Sequence, residues 1–302
     1  MTDPVVTTEN LTKRYGRHAV VEHLNLRIPT GSVYGFLGPN GAGKSTTMKM
    51  LLGLIQPTDG EVRIMGQPMN RGTRRRLLRG IGSLIEAPPG YAHLTGAENM
   101  RLVQRMLGLG REQIDYAIHA VRMQDHMNKT VREFSLGMKQ RLGLAMALAR
   151  QPRLLILDEP TNGLDPAGIE EMRVLLRRLA DDGVTVMVSS HLLGEVDKTA
   201  NVLGIVSQGR LIFQGSRAEL MAAACPDVLI ACSDPRSAAD VLHPLGGRLT
   251  EGGEVAVPGL DDRRTAGVVA GLVGERIGVY GVRREEQGLE DVFLSLTAGG
   301  AL

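Results

Sequence analysis

Eight residues, Gly38-Pro39-Asn40-Gly41-Ala42-Gly43-Lys44-Ser45, fit the pattern GxxxxGK[ST]. They stand between an apolar run, Ser32 to Leu37, and a helical pattern from Lys44 to about Leu54, the context in which that pattern binds phosphate. The glycines let backbone N–H groups fold around phosphate oxygens, and the N-terminus of the following helix adds partial positive charge. Lys44 supplies a point charge for the β- and γ-phosphates, and the Ser45 hydroxyl is a ligand for Mg²⁺.

A nucleotide-bound metal needs a second anchor. Leu154 to Leu157 is a short apolar run that reads as a buried strand, and it delivers Asp158 and Glu159 at its end. Side chains alternate along a strand, so the two acids have different tasks. Asp158 is assigned to the metal through water, and Glu159 to the attacking water as general base.

The surrounding elements must hold these groups. Strands are expected at Val5–Leu11, Leu24–Ile28, Ser32–Leu37, Glu61–Met65, Ile81–Ile85, Leu154–Leu157 and Val184–Val188, with a helix at Ala167–Ala180. Apolar strands alternating with helices indicate an α/β domain with a parallel sheet. From Thr95 to about Arg150 the periodicity is helical throughout, which marks an inserted helical subdomain. Arg71 to Arg79 holds five arginines and reads as a solvated helical face. After Gly215 the order is βαββαβ: Val228–Cys232, Ala238–Leu245, a strand near Arg248, Glu254–Val257, Thr265–Val273 and Ile277–Arg283.

Composition narrows the class. There are 35 Lys+Arg and 33 Asp+Glu in 302 residues, with nine aromatic residues and no Trp, which argues against a dedicated nucleic-acid binder. The charge is uneven, +8 over residues 1–217 and −6 over residues 218–302, so a domain boundary is expected near 217. Cys225 and Cys232 have neither zinc-site spacing nor a disulfide framework. No apolar run reaches the ~18–20 residues that span a bilayer, and Met1-Thr-Asp-Pro-Val lacks a signal-peptide layout.

With its motifs in this order, the chain resembles the ATP-binding cassette (ABC) ATPases of transporters over residues 4 to about 217. Gly38 to Ser45, with Thr46, corresponds to Walker A, and Leu154 to Asp158 with Glu159 to Walker B. Phe134-Ser-Leu-Gly-Met-Lys-Gln-Arg141 resembles the ABC signature, and Asn162-Gly-Leu-Asp165 the D-loop. His191 falls at the switch histidine and Tyr15 at the aromatic that stacks on adenine. The implied fold is α/β: a P-loop NTPase cassette with a RecA-like core, an antiparallel β subdomain and a helical subdomain at about 87–151. A small α+β domain follows over 218–302. The resemblance implies nucleotide binding by Tyr15, Gly38, Pro39, Asn40, Gly41, Ala42, Gly43, Lys44, Ser45, Thr46, Asp158 and Asp165, with His191 as a γ-phosphate contact. Ser135 is a good N-cap and Gly137 permits close approach to a ligand, so the signature helix offers a second anion-binding terminus, in this family for the nucleotide of another cassette.

Two departures matter. Leu136 stands where the signature has glycine, and Glu86 where the Q-loop has glutamine. The segment Ile81 to Asn99, together with the ending Leu289 to Leu296, resembles the bacitracin-resistance and lantibiotic-immunity branch, in which a glutamate replaces that glutamine. The resemblance then implies a catalytic and metal-binding role for Glu86 beside Ser45 and Asp158, and ATP and Mg²⁺ as cofactors. It implies an ATP-hydrolysing subunit of a bacterial exporter of antibiotic or lantibiotic peptides, cytoplasmic and peripheral on the inner face of the membrane. Its partners would be a second cassette, as a homodimer, and a separate permease contacted through Glu86 to Asn99, with no nucleic acid. The alternative is a cassette ATPase acting on nucleic acid or ribosomes. Relatives of that kind carry a second cassette or a long coiled coil between motifs. Here only 113 residues separate Lys44 from Asp158, with no sustained heptads.

Overall fold

Runs such as Leu154–Leu157 have apolar residues at every position, which suits a strand buried on both faces. In the computed structural model, β4 (Val33–Leu37), β8 (Leu154–Asp158) and β9 (Thr185–Ser190) are buried throughout. The structure describes residues 3–86, 88–191, 194, 199–223, 227–285 and 292–293. They fall into two compact units, the first reaching Arg217 and the second starting at Ala218.

In the first unit, β7 (Ile81–Leu84), β10 (Val202–Ser207) and β11 (Arg210–Gly215) complete a six-stranded sheet of order β11-β10-β4-β9-β8-β7. All its neighbours are parallel except the antiparallel β10–β11 pair. The register sets Leu37 opposite Ser190 and Asp158 opposite Ser189. The carboxyl ends of β4, β8 and β9 therefore lie level at one edge, where open α/β sheets place their ligands. A second sheet is antiparallel, from β1 (Pro4–Tyr15), β2 (His18–Leu24), β5 (Asp59–Ile64) and β6 (Gln67–Pro68) in the order β2-β1-β5-β6, with β3 (Arg27–Pro29) also on β1. Val6, Leu11, Leu26, Ile28, Phe36, Met48 and Leu51 join both sheets and α1 (Lys44–Leu51) in one core.

The expected strand Leu24–Ile28 is divided between β2 and β3. His23 has φ +48°, and the Asn25 side chain accepts the Asn10 N–H and donates to the His23 carbonyl, which turns the chain. The helix expected to reach Leu54 ends at Leu51, and the arginine-rich segment contains α2 (Arg74–Leu77) and a 3₁₀ turn, Leu78–Gly80. The helical stretch is three helices, α3 (Gly96–Leu107), α4 (Arg111–Ala120) and α5 (Leu136–Leu148), with 3₁₀ turns at Gln124–His126 and Val131–Glu133 between α4 and α5. Thr95 and Glu98 form a capping box at the start of α3. Helix α6 (Pro166–Asp181) packs on β4 and β9. Two strands that the sequence pattern does not announce are β10 and β11.

The second unit has the expected βαββαβ order. Strands β12 (Val228–Cys232), β13 (Arg248–Leu249), β14 (Val255–Val257) and β15 (Val279–Arg284) form an antiparallel sheet of order β13-β14-β12-β15, the ferredoxin-like arrangement. The helices Pro235–Leu242 and Asp262–Gly274 supply Ala238, Leu242, Val268 and Leu272 to a core with Val228, Ile230, Val255 and Val257. Of the ending Leu289 to Leu296, only Val292 and Phe293 are among the described residues.

Candidate functional site

The loop between β4 and α1 has the backbone that its sequence demands. Gly43 caps α1 at φ +98°, and a Cβ on it would sit 2.7 Å from the Val20 carbonyl oxygen. A Cβ on Gly38 would come within 2.3 Å of the Val206 carbonyl oxygen, so no larger residue fits at either position. Pro39, Asn40 and Gly41 are exposed, whereas Ala42 is buried, and Ser45 and Thr46 are half-buried in the first turn of α1.

Lys44 is only 7% exposed. Its Nζ donates to the carbonyl oxygens of Gly38 at 2.7 Å and Pro39 at 3.3 Å, and lies 3.7 Å from Glu159 Oε1. Burial pulls its pKa below the ordinary lysine value, and the charges of Glu159 and Asp158 pull the other way. A buried cation facing a glycine loop is chemistry suited to an anionic ligand.

The acids at the end of β8 diverge as strand alternation requires. Asp158 is 9% exposed, and its Oδ1 accepts from the Ser189 hydroxyl at 2.6 Å. The Ser189 Oγ in turn accepts the Glu159 backbone N–H at 2.9 Å. Glu159 has φ +50°, an uncommon backbone for a non-glycine residue and one that clusters at functional sites. Its Oε2 lies 2.9 Å from His191 Nδ1. Lys44, Asp158, Glu159, Ser189 and His191 thus form one connected cluster at the carboxyl edge of the sheet. Sequence reasoning missed Ser189. Its signal was position, a polar residue that follows the apolar run Val186–Val188 two places before His191.

The remaining predicted residues lie in other settings. Tyr15, at the β1–β2 turn, is 54% exposed, and the Lys13 ammonium lies 5.0 Å from its ring centre. Glu86 is exposed, has φ +68°, and forms a 2.5 Å ion pair with Lys49 of α1. The Lys49 hydrogen bond and charge hold the Glu86 carboxyl below its ordinary pKa. Ser135 caps α5 by accepting the Met138 N–H at 3.2 Å. Asp165 caps α6 by accepting the Gly168 N–H at 3.1 Å, so its visible task is to start that helix. Ser135, Gly137, Leu164 and Asp165 line one hollow of about 670 Å³, to which Gly38 to Ser45 contribute nothing. The Ser45 hydroxyl and the Asp158 carboxylate are hard oxygen donors, the set that suits Mg²⁺.

A family model described as ABC transporter matches residues 21–162. The bacitracin transport ATP-binding protein BcrA of Bacillus licheniformis is 47% identical over 69% of this chain and 68% of its own. The lantibiotic transport ATP-binding protein SrtF of Streptococcus pyogenes is 45% identical over 68% of this chain and 88% of its own. This chain belongs to the ABC transporter family, as one of its ATP-binding subunits. It binds nucleotide and hydrolyses ATP, as the cassettes of this family do. The two relatives bear the bacitracin and lantibiotic names of the branch that Glu86 and its flanking segment resemble. The structure of CbiO1 from Clostridium perfringens, part of the CbiONQ ABC transporter complex, has a similar fold. Its TM-score is 0.68 at 27% identity, over 73% of this chain and 92% of that one. Among the described residues, no helix of this ABC subunit is long and apolar enough to cross a membrane.

Proposed function

We propose that this ABC subunit drives a bacterial exporter of antibiotic or lantibiotic peptides, by two copies closing on two ATP molecules beneath a separate membrane permease. The observation that carries the closure is the division of the site. The cluster around Lys44 holds one set of anion-binding groups, and the α5 terminus at Ser135 and Gly137 offers another in a different hollow. A site left in two parts within one chain is completed when a second copy supplies the missing part.

In this reading the N–H groups of Gly38 to Thr46 and the Lys44 ammonium bind the β- and γ-phosphates, and Tyr15 stacks on adenine. Ser45 and Asp158 would hold Mg²⁺, which supplies charge neutralisation on the phosphate oxygens. Glu86 is the third ligand proposed for that metal, and Lys49 is the cation it would exchange. Glu159 accepts the proton of the attacking water. His191, hydrogen-bonded to Glu159, fixes that carboxylate and reaches the γ-phosphate. Ser135 and Gly137 act on the nucleotide of the other copy. The region Glu86 to Asn99 faces the permease, and the protein works on the inner face of the membrane.

Two measurements test this reading. Glu159→Gln protein should elute as a dimer with ATP and a monomer without it. Co-expression with its partner permease should raise bacitracin or lantibiotic resistance, and Lys44→Ala should abolish that gain. An ATP-independent elution volume overturns the closure, and unchanged resistance overturns the cargo class.

A further inference from the structure

We propose that the arginine-rich surface around α2 docks onto the anionic lipid headgroups of the membrane in which the permease sits. Residues 62–85 contain six arginines and no carboxylate, a net of +6 that makes up most of the +8 excess of residues 1–217. All six arginines are exposed. Leu77 is buried and anchors the segment from beneath. Arg71 lies in the turn before α2, Arg75 in α2 and Arg79 in the 3₁₀ turn that follows, so an exposed basic stripe runs along the whole segment.

The surface is built rather than loose. Asn70 Oδ1 accepts the N–H groups of Gly72 and Thr73, fixing the turn into α2. Arg74 donates to the Gly53 carbonyl at 3.0 Å, and Arg76 donates to Gln67. Arg71, Arg75 and Arg79 make no hydrogen bond or ion pair among the described residues. Asp59 and Glu61 share a hollow with Arg71 and Arg74, and Glu61 is already paired with Arg63. Leu54, 63% exposed, follows Gly53 at the same end of α1. Exposed guanidinium groups with open N–H donors on the same surface as an exposed aliphatic side chain suit a headgroup boundary, where arginine binds phosphate by paired N–H donors and leucine enters the acyl region.

Charge complementarity chooses the occupant. A transporter subunit works beside a membrane, and an anionic leaflet attracts basic segments within about a Debye length. A nucleic acid would find few rings for stacking, with nine aromatic residues in the whole sequence. The stripe lies at the far end of α1 from Lys44, outside the catalytic cluster, so it can be altered without touching the phosphates. The inference rests on the family and not on which compound is exported.

The test is co-sedimentation of the full chain with phosphatidylcholine vesicles, with and without phosphatidylglycerol, at low and high salt. Binding should require phosphatidylglycerol, weaken with salt, and fall on the order of a hundredfold in Arg71→Gln/Arg75→Gln/Arg79→Gln, about fivefold per arginine. A variant with the same charge change in the second unit, Arg236→Gln/Arg263→Gln/Arg264→Gln, should bind as the wild type does, and both should keep basal ATPase activity and melting temperature. Equal loss in both variants means net charge alone acts, and overturns the proposal. So does equal binding to uncharged vesicles, or an absence of lipid binding by the wild type while the stripe variant no longer co-purifies with its permease. That last result would assign the stripe to an acidic protein surface. ATP-dependent dimerisation of Glu159→Gln protein reports on the exporter reading separately.

Discussion

The Ser189 hydroxyl donates to Asp158 at 2.6 Å while its oxygen accepts the Glu159 N–H at 2.9 Å, so one side chain from β9 fixes both acids at the end of β8. A buried carboxylate with a charge-assisted hydrogen bond is held in one orientation, and the N–H bond supports the uncommon φ of Glu159. Two neighbouring strands thereby share one constraint.

Ser189→Ala removes both bonds at once. It should lower kcat about tenfold while changing nucleotide affinity little, because Lys44 and the glycine loop stay intact. It should also cost about 1–3 kcal/mol of stability by leaving Asp158 and the Glu159 N–H short of partners. Steady-state ATPase assays and urea unfolding check the two parts, and a variant of wild-type rate would remove Ser189 from the site.

Glu159→Gln should bind ATP as the wild type does and lose turnover by on the order of 10²–10⁴, the span of general-base effects. His191→Ala keeps the carboxylate but frees it from its 2.9 Å partner, and should lose less than Glu159→Gln. Single-turnover rates with nucleotide affinity measured in parallel separate these outcomes. Equal rates for Glu159→Gln and wild type would deny Glu159 the role of base.

The parts legible in the sequence are those written contiguously. Gly38 to Ser45 encodes strand end, turn and helix start in eight residues, and the structure has that order. Leu154 to Asp158 is legible because an unbroken apolar run has few alternatives to a buried strand. Ser189 was not legible, because its task arises only when β9 pairs with β8 in the register that sets it beside Asp158. Strand β10 was hidden by Gly204, which weakens the apolar pattern. That glycine is needed because a Cβ there would fall 2.0 Å from the Tyr34 hydroxyl. The Lys49–Glu86 pair joins residues 37 positions apart and has no local signature.

Acid should loosen the molecule through its helix caps. The Thr95 backbone N–H and hydroxyl hold the Glu98 carboxyl below its ordinary pKa, and the Thr130 hydroxyl and N–H do the same for Glu133. A carboxyl with a depressed folded-state pKa binds protons more weakly folded than unfolded. Its stabilisation is therefore complete above the ordinary glutamate value, about 4.3, and is lost as pH falls through the folded-state values. Glu98→Gln/Glu133→Gln keeps the cap geometry without the titration. Urea midpoints at about pH 6 and about pH 3.5 should converge more closely in that variant than in the wild type.

Gly137 distinguishes a residue kept for folding from one kept for a ligand. A Cβ placed there would meet Leu164 Cδ2 at 3.6 Å and Ser135 Oγ at 3.9 Å, ordinary contact distances. The residue lies within α5, where alanine is favoured over glycine by up to about 0.5–1 kcal/mol, so Gly137→Ala should fold and melt at least as high as the wild type. If a second copy's nucleotide approaches this backbone, the added methyl group blocks it. ATP turnover should then fall at least about tenfold, with binding to the variant's own glycine loop unchanged. Thermal unfolding, equilibrium nucleotide binding and steady-state turnover on one preparation decide the matter, since a stable variant with wild-type turnover would leave the α5 terminus no part in hydrolysis.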